Sequence, residues 1–371
     1  MKLRTLVFSG CGTRIIGHTG FLCCIEKHFD LSLVDTYAGT SAGSFIALCM
    51  ALGYKPKELF DLLLELDYIK VSNIDADLLL DYYSKFGVDN GEKVMKLVKL
   101  VISKKTNNSD ITFKELHELT GKTLLVATTN VNKECVEYIT HETFPDLPVY
   151  LGIKMSGSIP YYFTPVKWNG CLYVDGALID NFPIKNFNLD ETIGMYIKKQ
   201  DPYPTDITDL LNYTISILGT LLKVSENDLL SKYANNAVVI ENEESILDFK
   251  LSKEKRQKIF SMAYSATEEF ILKLLEKERL RKQIEEKENK DTDEYSNEER
   301  VKEKEESNTQ PRRESIGSAD EYGDGSGDIA TDPTDPTSTT SITTASTASK
   351  DADPGNSGNA ATEGIIEDTG E

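Results

Sequence analysis

Residues 35–50, DTYAGTSAGSFIALCM, set Ser41 between Gly39 and Gly43 at the point where a β-like run gives way to an apolar helical one. One reading is a helix start, in which Thr40 or Ser41 acts as an N-cap and accepts a backbone N–H from two or three residues on. That explains one hydroxyl and neither glycine. The other reading is a G-x-S-x-G elbow, a sharp strand-to-helix turn that strains the serine backbone and lifts its Oγ clear of the sheet. Side chains at Gly39 and Gly43 would collide across so tight a turn. The flanks suit the elbow: LVDTYAG reads as a short buried strand, and SFIALCMALG as a helix ending at Gly53.

An elbow needs a sheet to stand on, and strand and helix signals alternate around it. TLVFSG, LVDTYAG, TLLVATTNV, ECVEYIT and CLYVDGA read as strands. GFLCCIEKHF, residues 42–52 and TFKELHELTG read as helices, with a helix-rich insertion at about 56–105 and a small-residue turn at KMSGSIP. Later, AVVIEN and ILDFKLS read as a strand pair and KRQKIFSMAYSATEEFILKLLE as a covering helix. Near-continuous apolar strands alternating with helices predict a three-layer α/β/α sandwich around a mostly parallel sheet.

The C-terminal quarter departs from this pattern. From Ser307 to Glu371 it is rich in Ser, Thr, Asp, Gly and Pro, and three basic residues face thirteen acidic ones. Such a segment buries too little apolar surface to offset its ordering entropy and is expected to be disordered. Its net −10 is half of the chain's −20. The other half lies on the body, which argues against a nucleic-acid partner, since that needs a basic face. A tail of this composition is also a candidate site for a protein partner.

Six cysteines (Cys11, Cys23, Cys24, Cys49, Cys135, Cys171) show no C-x-x-C spacing and sit mostly in apolar runs, which suits reduced thiols in a cytoplasmic setting. There is no apolar run of about 18 residues, so the expectation is a soluble chain, at most peripheral on a membrane. Residues 207–224 have apolar positions at helical spacing, which fits core packing or a lid or membrane-contact face.

Two further stretches carry chemistry. FSGCGTRIIGHTG, residues 8–20, is a glycine-rich turn between a strand and a helix, where backbone N–H groups can meet an anion. It can be a plain βα turn, a dinucleotide fingerprint or an oxyanion loop. The fingerprint requires glycine where Ile15 stands. As an oxyanion loop, Gly10, Cys11 and Gly12 would place amides beside Ser41, because turns after adjacent parallel strands meet at one sheet edge. The base is less obvious. Only His117 and His141 follow Ser41, one within a helix and one just after a strand, and neither has a motif around it. CLYVDGALIDNFP puts Asp175 at a strand end before Gly176 and Ala177, which are too small to block approach. A carboxylate there can take a serine proton directly if burial raises its pKa, although Asp-Gly is also a common turn.

In this order, SGCGTRIIGHTG, GTSAG and DGA resemble the patatin-like phospholipase family. MSGSIPYYFTPV and LIDNFP are secondary echoes of it, and the likeness runs clearly from about 3 to 195 and more faintly to 276. The resemblance implies a catalytic core at 1–195 and its continuation at 196–276. A charged linker, helical or disordered, at 277–306 and the acidic tail at 307–371 would follow. It further implies Ser41 as nucleophile, Asp175 as base, and the amides of Gly10, Cys11 and Gly12 as oxyanion hole. Arg14 matches the basic residue that many members place in this loop, and Gly39, Gly43, Gly176 and Ala177 support the motifs. The implied activity is metal-free and cofactor-free hydrolysis of the acyl ester of a glycerophospholipid, lysolipid or acylglycerol. Ile15 departs from the family pattern, so the alternatives are a silent lipid-binding relative and a scaffold that works through its tail.

Overall fold

The computed structural model describes residues 2–72, 82–200, 207 and 210–308. The chain divides into two units, 1–303 and 304–371, and only the first five residues of the second are described, as helix. The tail beyond Asn308, expected to be disordered, lies outside the described residues.

The apolar runs form one eight-stranded sheet. Its strands are β1 (Thr5–Phe8), β2 (Thr36–Thr40), β3 (Thr123–Asn130), β4 (Cys135–Ile139), β5 (Val166–Trp168), β6 (Cys171–Asp175), β7 (Thr192–Lys199) and β8 (Ala237–Asn242), in the order β5-β6-β3-β2-β1-β7-β8 with β4 against β3. The run β3-β2-β1-β7-β8 is parallel throughout. Antiparallel pairing is confined to β4 and β6 on β3, and to β5 on β6.

Side chains alternate between the faces of this sheet. Leu6, Phe8, Leu124, Val126, Met195 and Ile240 enter the larger core, while Val7, Leu125 and Tyr196 enter a smaller one. The larger face is covered by α1 (Ile16–His28), α2 (Ala42–Ala51), α3 (Pro56–Glu65), α6 (Glu92–Thr106), α7 (Phe113–Thr120), α8 (Val149–Ser156) and the start of α10 (Lys253–Asn308). The short helices α4 (Tyr68–Val71) and α5 (Tyr82–Lys85) follow α3. The smaller face is covered by the end of α9 (Leu210–Lys232) and the 3-10 turn Pro183–Asn186. The result is the expected three-layer α/β/α sandwich with a mostly parallel sheet, and its two outer layers are unequal.

Two local expectations are corrected. ILDFKLS forms no strand, because its backbone is engaged in turns (Asp248 to Ser245, Leu251 to Asp248) and the Ile246 carbonyl accepts the Thr13 N–H at 2.9 Å. KMSGSIP is not wholly a turn, since Lys154, Met155 and Ser156 close α8. Past residue 276, α10 continues without a break to Asn308. All six cysteines are free. Among the described residues no helix is long and apolar enough to cross a membrane.

Candidate active site

Between β2 and α2 the chain turns on one residue, Ser41, at φ 53° and ψ −125°. An L-residue adopts that backbone only where its surroundings enforce it. A Cβ on Gly39 would lie 2.4 Å from the Gly43 carbonyl carbon, and one on Gly43 would lie 2.3 Å from the Phe8 oxygen. The Ser41 N–H, buried under this turn, donates to Ser156 Oγ at 2.8 Å, and Ser156 donates onward to the Ala127 carbonyl at 2.6 Å. Neither hydroxyl of the motif caps α2: Thr40 Oγ1 donates to the Asp180 carbonyl, and Ser41 makes no capping bond.

The sheet register explains what Ser41 faces. Thr40 pairs with Ala127 of β3, and Asp175 pairs with the next residue, Thr128. The other edge of β3 is taken by β4, so β2 and β6 share one edge and meet end to end. The Ser41 hydroxyl therefore comes beside the Asp175 carboxylate, which accepts the Ala177 N–H at 2.9 Å. Gly176 permits the approach, since a Cβ there would sit 2.3 Å from the Ala127 oxygen. Asp175 is 3% exposed, and burial pushes its carboxyl from the usual range up to about 7, against the opposing pull of its hydrogen bonds.

The glycine loop comes to the same place, and its three amides are not equivalent. Gly10 N–H donates to the Asn181 carbonyl at 3.2 Å, and Asn181 Nδ2 returns a bond to the Gly10 carbonyl at 3.3 Å. The Gly10 amide is thus engaged, which leaves Cys11 and Gly12 as loop amides without a partner among the described residues. Gly12 requires its residue type: φ is +58°, and a Cβ would lie 2.0 Å from the Ile246 oxygen. Ile15 has φ −47° and ψ −30°, ordinary helical backbone, so the family's usual glycine is not demanded there.

Arg14 sits away from solvent, 3% exposed. Its guanidinium donates to the carbonyls of Cys11, Lys198 and Asn242, and burial pushes its pKa down. Because C=O and N–H point opposite ways across a trans peptide, holding the Cys11 oxygen directs the Gly12 N–H to the other side. The Cys11 thiol, pushed up to about 12 by burial, turns toward His18 at 3.5 Å.

His117 and His141 are elsewhere. Their rings stack on each other at 3.6 Å, and neither borders the cavity at Ser41. That cavity, of about 180 Å³, runs from Ser41 and Ala42 past Phe45, Leu63, Val98, Ile153, Phe163 and Leu247. Lys154 is the one charged residue in its wall among the described residues. A mostly apolar slot of this kind, with a hydroxyl in its wall, suits an alkyl chain attached to a polar group. No group of three His, Cys, Asp or Glu residues that could hold a metal occurs among the described residues.

Sequence reasoning missed Ser156, although the small-residue run MSGSIP marked its neighbourhood. It also missed that Asn181 of LIDNFP anchors the glycine loop.

Residues 6–187 match the family model of patatin-like phospholipases. The chain is similar to the probable lipid hydrolase 463L of invertebrate iridescent virus 6, 34% identical over 49% of this chain and 62% of that protein. It is also similar to the uncharacterized protein R571 of Acanthamoeba polyphaga mimivirus, 27% identical over 74% of this chain and 95% of that protein. In fold it is similar to VipD from Legionella pneumophila, with a TM-score of 0.51 at 18% identity, covering 73% of this chain and 67% of that one.

Proposed function

Residues 6–187 belong to the patatin-like phospholipase family, and from that premise we propose that this chain is a lipid acyl hydrolase working through Ser41 and Asp175. The observation that carries the reading is the Ser41 hydroxyl beside a buried carboxylate, on the wall of a mostly apolar cavity. A base with a pKa near 7 combines adequate proton affinity with a populated charged form at neutral pH. Asp175 takes the Ser41 proton as Oγ attacks the ester carbonyl. The amides of Cys11 and Gly12 then receive the developing oxyanion, a contribution worth about a hundred- to a thousandfold in rate per donor. Asp175 returns the proton to the leaving alcohol, and a water activated the same way releases the acyl group.

The apolar cavity takes the acyl chain, at roughly 0.8 kcal/mol for each methylene buried. The substrate class is a glycerophospholipid, lysolipid or acylglycerol, reached peripherally at a membrane surface. The six free cysteines support a reducing, cytoplasmic setting. A protein partner for the acidic tail is a separate proposal outside the described residues.

A fluorophosphonate should label the wild type at Ser41 and leave Ser41→Ala unlabelled, and hydrolysis of a lipid panel should be indifferent to a chelator. A folded wild type that takes no label would overturn the reading.

A further inference from the structure

Tyr68 and Arg256 form a pair of donors that the mechanism above does not use. Tyr68 begins α4 on the wall of the Ser41 cavity and is 5% exposed. Its hydroxyl is buried, its O–H has no acceptor among the described residues, and its oxygen interacts with the Arg256 guanidinium. Arg256, in the first turn of α10 and 7% exposed, places its guanidinium over the Tyr68 ring at 4.6 Å. One terminal nitrogen donates to the carbonyls of Leu63 and Leu66, which closes the C-terminus of α3. Its Nε–H is buried and also without a partner.

Closing α3 accounts for one nitrogen of Arg256, and the guanidinium also interacts with the phenol oxygen, which leaves the phenol O–H without an acceptor among the described residues. A buried donor left unmade is costly, and a buried cation without a counter-ion more so. Arg256 makes no ion pair among the described residues, and the nearby Glu65 pairs instead with Lys253. Tyr68 lines the same cavity as Gly12 and Thr13 of the glycine loop. Burial raises the phenol pKa and keeps the group a donor.

A phenol O–H without an acceptor, beside a cation that makes no ion pair among the described residues, in the mostly apolar wall of the cavity, suits an anionic oxygen. We propose that Tyr68 Oη–H, backed by the charge of Arg256, binds an anionic oxygen of the lipid held at Ser41, namely the phosphate of a glycerophospholipid. This rests on the hydrolase reading above.

The test uses the full chain and Tyr68→Phe, which removes one oxygen and keeps the ring. Hydrolysis of dioctanoyl phosphatidylcholine is compared with that of dioctanoylglycerol, together with inhibition by octanoate. The ratio of kcat/KM for phospholipid over diacylglycerol should fall about ten- to a hundredfold in the variant. An unchanged ratio with octanoate inhibition weakened to a similar degree would keep the anion site and assign it to the released carboxylate. An unchanged ratio with unchanged inhibition overturns the proposal while the hydrolase reading stands. A wild type that hydrolyses neither lipid removes both.

Discussion

Replacing Asp175 with Asn should stabilise the protein above neutral pH while abolishing its activity. The carboxyl titrates near 3.8 in the unfolded chain and at about 7 in the fold, because burial disfavours its charged form. That difference of about three units corresponds to roughly 4 kcal/mol. A group whose folded pKa is raised contributes its full stability below the unfolded pKa and loses it as pH rises through the folded one. The wild type is therefore penalised progressively between about pH 4 and 7, and constantly above that. Asn keeps an oxygen for the Ala177 N–H and removes the penalty, but adds amide hydrogens that cost about 1–2 kcal/mol where acceptors are lacking. The net gain at pH 8.5 is then about 2–3 kcal/mol, on the order of 5–10 °C in Tm. Near pH 3.5 the sign reverses, and the wild type should be the more stable. Thermal melts of both proteins from pH 3.5 to 9 measure this, and kcat/KM of the wild type should rise with pH to a plateau with its midpoint near 7. A Tm difference that does not vary with pH would refute the assignment of a raised, buried carboxylate.

Ser156→Ala should leave the Ser41 N–H unmatched in the interior, costing about 1–3 kcal/mol in a urea titration, and should lower kcat more than it changes KM. Gly43→Ala forces a Cβ to 2.3 Å from the Phe8 oxygen, so a loss of more than about 4 kcal/mol or failure to fold is expected, read from the urea midpoint. Ser41→Ala, Asp175→Asn and the double variant should lose turnover by similar, non-additive factors if the two residues act as one unit. His141→Ala should keep turnover within about twofold; a loss as complete as that of Asp175→Asn would replace the dyad with a three-residue mechanism.

What was legible in the sequence was local. The elbow declares itself because its steric demand falls on Gly39 and Gly43, immediate neighbours of Ser41. The parallel core declares itself because each buried strand is a continuous apolar run. ILDFKLS misled because its alternation of apolar and polar residues, the usual mark of a half-buried strand, belongs here to turns that lie against the glycine loop. Asp175 could be singled out only as a strand-end carboxylate before two small residues. Its meeting with Ser41 depends on β2 and β6 sharing one edge of β3, a long-range pairing with no local signature.

The glycine loop shows the same division most sharply. In sequence the amides of Gly10, Cys11 and Gly12 are interchangeable. In the fold, Asn181, 171 residues further on, takes the first, and Arg14 orients the peptide that carries the third by holding its oxygen. Arg14 in turn is anchored by carbonyls at the ends of β7 and β8. The Cys11–Gly12 peptide is therefore held from the far side of the loop, by β7 and β8, neither of which pairs with β2 or β6. On the proposed mechanism, a change at those strand ends should lower the rate of acyl transfer while leaving the surroundings of Asp175, and so the pH midpoint of activity, unchanged.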